Sequence, residues 1–234
     1  MGRLHHLELT LPKNLETADS YPDHEFILLN YGSKDAMHEW CIENLRNHIL
    51  SGKLKYFKTE KPKFFNHSHA KNLACRQASG DIIVNLDADN YLVPGYAEFA
   101  AKNLASGGCI VASHPEDAFG VAGSFGKIAV LKEHFYSVNG YEEDIDYGWG
   151  WEDNHFINRV VWQNNIEIVM ADKALCRVIE HDNDERVENC MGKDMSSNQD
   201  ATWQKLMAVR SNGRYVANEG VPWGFVSDLR QEEV

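Results

Sequence analysis

Between residues 25 and 105, short apolar runs take turns with stretches of helical spacing, and this alternation restricts the fold more than any other property of the chain. "EFILLN" (Glu25 to Asn30) and "KLKYF" read as strands. Between them Met37, Trp40, Cys41, Leu45 and Ile49 recur at helical spacing, with Ser33 as N-cap and Gly52 as stop. Ala70, Leu73, Ala74 and Ala78 make a second helical stripe, closed by Gly80. "GDIIVNLDADNY" holds the next strand, and Pro94 suits the first turn of the helix after it. The pattern predicts an α/β layer with a largely parallel sheet.

After Gly108 the texture changes. "CIVAS", "KIAVL" and "IEIVM" read as strands and "NHFINRVVW" and "DATWQKLMAVR" as helices. "GYEEDIDYGWGWEDN" reads as a loop dense in Gly, Trp and carboxylate. The expectation is a single domain over residues 1–234. A nucleotide-type half ends at about residue 105 and a loop-rich half runs from about 106, sharing one core.

Bulk properties exclude several functions. The 234 residues suffice for a substantial core, and 43% hydrophobic with 25% charged residues is an ordinary soluble composition. A net charge of −12 argues against nucleic acid or an anionic membrane surface as partner. No run approaches the roughly 18 apolar residues of a membrane span, and "MGRLHHLELTLPKN" lacks a secretory apolar region. Five widely spaced cysteines without a CxxC pair read as reduced, buried thiols, and hence as a cytoplasmic protein.

Four groups of residues carry possible chemistry. Asp87 and Asp89 stand at a strand end, where positions i and i+2 point to the same side and like charges invite a cation. Ligands of open α/β sheets bind beyond the carboxyl ends of strands, and hard oxygen donors suit Mg²⁺, Mn²⁺ or Ca²⁺. A solvated turn bearing two acids is the plain alternative. "DADNYLVPGYAE" has the length of an EF-hand loop, but Leu92 stands where that loop needs Gly, and a strand precedes it. Asn90 likewise departs from the phosphatase form of D-x-D.

In "GWGWEDN", Trp149 and Trp151 offer flat faces on which sugar rings stack, and Glu152 and Asp153 open a helix where carboxylates favour the dipole. A helix cap with core tryptophans is the other reading. His181 in "VIEHDND" matters if the fold brings it to Asp87 and Asp89 as a nitrogen ligand. Lys71, Asn72 and Arg76 lie near one helix face and could meet a diphosphate; the alternative is a solvated face.

These pieces, in this order, resemble the GT-A-fold glycosyltransferases, most closely family 2 enzymes sharing the C-terminal module of the animal galactosyltransferases. "HSHAKNLACRQASGDIIVNLDADNYLVPG" is similar to the segment leading into the family's D-x-D motif. "GSFGKIAVLKEHFYSVNGYEEDIDYGWGWEDNHFINRV" resembles its acceptor-side G-W-G-x-E-D segment. The likeness implies a Rossmann-like, mostly parallel central sheet flanked by helices. It also implies a nucleotide-sugar donor, UDP-linked, a glycan or other hydroxyl acceptor, and Mn²⁺ or Mg²⁺ as cofactor.

Residue by residue, the resemblance makes Asp89 and His181 metal ligands, with Asp87 touching the ribose or the metal shell. Asp153 becomes the general base, and Glu152 and Trp149, beside Trp151, shape the acceptor pocket. Asn30 and Tyr31 replace family acids in "NYGSKD", and Asn154 and His155 replace acids after E-D. Family members begin with an apolar strand, whereas this chain begins on what reads as the following helix (Leu4, Leu7, Leu11, Leu15). Either that first strand is missing or the start is placed late. The resulting expectation is transfer of a sugar from a UDP-sugar with inversion. The alternatives are an inactive or truncated sugar-nucleotide-binding protein and a carboxylate-based phosphohydrolase.

Overall fold

The computed structural model describes residues 1–113, 123–145 and 148–233. Asp146 and Tyr147 of the expected Gly/Trp/acid loop lie outside the described residues. The first half runs α1 (Leu4–Ala18), β1 (Phe26–Tyr31), α2 (Met37–Asn44), α3 (Arg46–Leu50), β2 (Leu54–Thr59), α4 (His67–Cys75), β3 (Ile82–Asn85), β4 (Asn90–Tyr91) and α5 (Tyr96–Leu104). There follow β5 (Cys109–Ser113), β6 (Ile128–Leu131), α6 (Lys132–Ser137), α7 (Glu152–Asn164), β7 (Glu167–Ala171), β8 (Arg177–Val178), α8 (Asn183–Val187), α9 (Met195–Asn212) and β9 (Arg230–Gln231).

Leu7, Leu11 and Leu15 recur every four residues on α1 and bury against Met37, Cys41, Leu45, Leu54 and Tyr56. The single helix expected between Ser33 and Gly52 is two and starts later, with Ala36 rather than Ser33 at the N-cap. It breaks because Leu45 leaves helical backbone at φ −114 and ψ 6 while its side chain stays in the core. A second core joins β3, β5 and β6 to α6 and α7 through Ile83, Ile110, Ile128, Phe135, Phe156 and Val160. All five cysteines are buried free thiols.

The strands form three ladders of neighbours: β1-β2-β9, β3-β6-β5-β7 and β4-β8. The two longest pairings are parallel, β1 with β2 from Phe26↔Leu54 to Tyr31↔Thr59 and β5 with β7 from Cys109↔Glu167 to Ser113↔Ala171. β6 runs antiparallel to both β3 and β5. Among the described residues β1 and β3 each keep one edge without a ladder partner. Helix α4 packs against both strands, and beside them opens a cleft of about 880 Å³. Ile27, Leu28 and Leu29 of β1 and Asn85 to Asp89 at the end of β3 and beyond line it.

Candidate active site

Helix α1 and the short β4–β8 ladder set the carboxylate turn. Asn90 N–H donates to the Asp87 carbonyl at 2.9 Å and closes the turn. From α1, Thr10 Oγ1 donates to the Ala88 carbonyl at 2.7 Å and Asn14 Nδ2 to the Asn90 carbonyl at 3.0 Å. The Leu92 amide returns a bond to Asn14 Oδ1 at 2.7 Å. β4 pairs Asn90 with Val178, and the Ile179 amide reaches the Asp89 carbonyl at 2.8 Å. That pairing brings "VIEHDND" to the turn, so His181 Nε2 stands 2.8 Å from Asp89 Oδ2.

The contact polarises both partners. Burial alone would raise Asp89, but bonds from His181 and Asn90 more than reverse it and hold the carboxyl below its usual range. The bond to Asp89 raises His181. A carboxylate oxygen and an imidazole nitrogen meeting at this distance offer a mixed O/N donor pair, which suits a transition-metal ion such as Mn²⁺ better than Mg²⁺. Asp87, the third expected ligand, does not form with them a group whose donor atoms all lie within 4.8 Å of one another.

Asp87 turns instead toward a second cluster. Lys71 Nζ, on α4, donates to Asp153 Oδ1 at 2.7 Å and to Glu152 Oε1 at 3.0 Å, both at the start of α7. One buried ammonium thus serves three neighbouring carboxylates, those of Asp87, Glu152 and Asp153. Burial raises Asp153 to about 7, helped by the charges of Glu152 and Asp87 and opposed by Lys71. Burial would also raise Glu152, but Lys71 and His67 outweigh it and take that group down to about 2. Asp87 is raised, again chiefly by burial. Burial thus favours the neutral carboxyl at Asp87 and Asp153, and Lys71 the ionised one at Glu152.

Gly126 explains how Asp87 and Asp153 approach each other. A Cβ there would collide with the Asp87 carboxylate and lie 3.1 Å from Asp153 Oδ2. Above the cluster, Trp149 and Trp151 line the cleft. Trp149 carries the Arg186 guanidinium 4.9 Å over its ring, and Trp151 packs edge-on against Trp203 at 5.4 Å. Gly150 between them has φ +125 and faces the Gln199 side chain where a Cβ would stand.

Two residues expected to face a diphosphate lie elsewhere. Asn72 is fully buried; its Nδ2 donates to the Tyr141 carbonyl and to Glu143 Oε1, both at 2.8 Å, and its Oδ1 accepts from the Tyr141 amide at 2.7 Å. It ties α4 to the turn at residues 140–143 and has no polar atom left for a ligand. Arg76 bonds the Trp223 carbonyl and stacks 4.9 Å over the Trp223 ring, away from the cleft. The loop at Asn30–Asp35 is likewise committed to its own chain. Ser33 Oγ accepts from the Gly2 amide at 2.7 Å and Asp35 Oδ2 from the Leu4 amide at 3.0 Å. Of the two residues that replace acids after E-D, Asn154 lines the cleft, while His155 is buried, held near 2 by burial and the Arg159 charge. Gly126 was missed because a glycine in "SFGK" gives no local sign of what it faces.

Three comparisons with known proteins bear on this geometry. Residues 5–178 match Glycosyl transferase family 2. Residues 1–349 of S. aureus TarS share the fold at a TM-score of 0.54 and 13% identity, over 70% of this chain and 55% of that one. This chain thus spans about half the length of that TarS chain. The catalytic domain of Drosophila beta1,4-galactosyltransferase 7 with xylobiose gives 0.47 at 17% identity over 79% of each chain. A mutant of that enzyme with manganese, UDP-Gal and xylobiose gives 0.46 at 16% identity over 85% of this chain and 82% of that one. No curated protein matches the chain. The family match spans well over half of the sequence and contains both the Asp87–Asp89 turn and the Trp149–Asp153 loop: this chain belongs to glycosyl transferase family 2.

Proposed function

We propose that this protein moves a sugar from a UDP-sugar to an acceptor hydroxyl with inversion, working as one domain. The observation that carries the reading is the meeting in one cleft of two clusters, Asp89–His181 on one side and Lys71–Asp153 on the other, with Asp87 between them.

Asp89 and His181 would hold Mn²⁺ or Mg²⁺, with Asp87 contributing to its shell or to the ribose, and the bound ion supplies Lewis-acid neutralisation of the leaving diphosphate. Asp153 acts as general base. Its Oδ1 is fixed by Lys71, while Oδ2 is turned toward Gly126. That free oxygen takes the acceptor hydroxyl proton as the acceptor oxygen bonds to the anomeric carbon. The anomeric carbon–phosphate oxygen bond breaks on the opposite face, and the nucleoside diphosphate leaves with the electron pair. Trp149 and Trp151 give the acceptor sugar apolar faces, and Glu152, kept ionised by Lys71, is the acceptor side's hydrogen-bond acceptor. Lys71 adds positive potential on the donor side of the cluster.

The test is release of UDP from UDP-sugars incubated with Mn²⁺ and a set of hydroxyl acceptors. Acceptor-dependent release that disappears in Asp153→Asn is expected. Release as fast in Asp153→Asn as in wild type removes Asp153 from the mechanism.

A further inference from the structure

At the rim of the cleft a single carboxylate joins α1 to α8. Glu185 Oε1 lies 2.8 Å from His5 Nε2 and 3.5 Å from His6 Nε2, and the three donor atoms fall within 4.8 Å of one another. Ligands at the corners of a tetrahedron around an ion bonded at 2.0–2.1 Å stand about 3.3 Å apart, a spacing that the two Nε2–Oε1 distances bracket. His6 is only 4% exposed, and its Nδ1 has no hydrogen-bond partner among the described residues. The two imidazole rings lie 4.2 Å apart. A third imidazole borders the group: His181 Nδ1 is 3.8 Å from Glu185 Oε2.

We infer that His5, His6 and Glu185 form a second metal site, separate from the Asp89–His181 pair, that takes a zinc-type divalent ion. Two imidazoles and one carboxylate favour Zn²⁺ or Co²⁺ over Mg²⁺ and leave a fourth position for water. Arg3 already bonds Glu185 at Oε1 and at its carbonyl. An ion at this site takes over Oε1 and leaves Arg3 on the carbonyl oxygen. The ion then ties α1, which braces the Asp87–Asp89 turn, to α8, which follows His181. Its role is to fix the segment that presents His181.

Co²⁺ titration of the full chain, followed by visible d–d absorption, tests the site. An intense four-coordinate band is expected in wild type and in Asp89→Asn, and its loss in His5→Ala and in Glu185→Gln. His5 is mostly exposed, so His5→Ala keeps the fold, which circular dichroism checks. Arg3→Gln removes the competing cation and tightens Co²⁺ by about threefold. No intense band in wild type, a band unchanged in His5→Ala, or a band lost in Asp89→Asn but kept in His5→Ala overturns the assignment.

Discussion

Lys71 places its ammonium 2.7 Å from Asp153 Oδ1, so the proposed base is gripped by one oxygen and free at the other. The side chains of both are largely buried, 9% and 14% exposed. Removing one partner of such a pair leaves an uncompensated charge in a poorly solvated place. Lys71→Met should therefore destabilise the fold by about 3 kcal/mol, read as a lowered denaturation midpoint. An unchanged midpoint would mean that water already solvates the cluster.

The same cluster fixes a pH dependence. Burial raises Asp153 from its ordinary value to about 7, so below that pH the carboxyl is protonated and unable to accept the acceptor's proton. The kcat/KM for transfer should rise with pH to a plateau above about 7. Lys71 opposes the shift, so its replacement moves the rise to higher pH. The sign for stability is opposite: a carboxyl raised in the folded state stabilises at low pH, and this contribution fades as pH climbs from its unfolded value toward about 7. A flat rate profile across that window would assign the proton transfer to another group.

Gly126→Ala tests the approach of Asp87 and Asp153. The added methyl must push the Asp87 carboxylate aside, and a misplacement near 1 Å costs about 10²-fold in rate. Transfer should fall by about that factor while circular dichroism stays unchanged. Full activity in this variant would show that Asp87 can relocate without consequence.

Arg159 makes a prediction about the scaffold. It is fully buried, donating to the Val138 carbonyl at 2.9 Å, the Gly140 carbonyl at 2.6 Å and His155 Nδ1 at 3.1 Å. Burial lowers it to about 10, still charged at neutral pH. Arg159→Met strips several buried acceptors of their donor and should cost about 3 kcal/mol, measurable by urea unfolding. A loss under about 1 kcal/mol would mean that water replaces the guanidinium.

Signals carried by neighbouring residues were readable before the structure. Apolar periodicity located β1, β2, α4, β3 and β7, and the acids after "GWGW" marked the start of α7. What depends on distant partners was not readable. The β4–β8 ladder is two residues long on each side, too short to leave a period, yet it helps carry His181 to Asp89. Asn72 has the composition of a ligand-facing residue on a helix, and only the turn at Tyr141–Glu143 reveals it as a buried clamp. Arg76 was misplaced for the same reason, since its partner Trp223 lies 147 positions away. The break at Leu45 shows tertiary packing overriding an uninterrupted helical stripe.

The central claim is that Asp89 and His181 form a metal-dependent donor site beside Asp153. Calorimetric titration of UDP into the protein, with and without Mn²⁺, tests it most directly. The account predicts binding that requires Mn²⁺ and vanishes in Asp89→Ala, with Asp153→Asn binding UDP as wild type does. Absence of UDP binding under both conditions, or binding indifferent to Mn²⁺ and to Asp89→Ala, would contradict it.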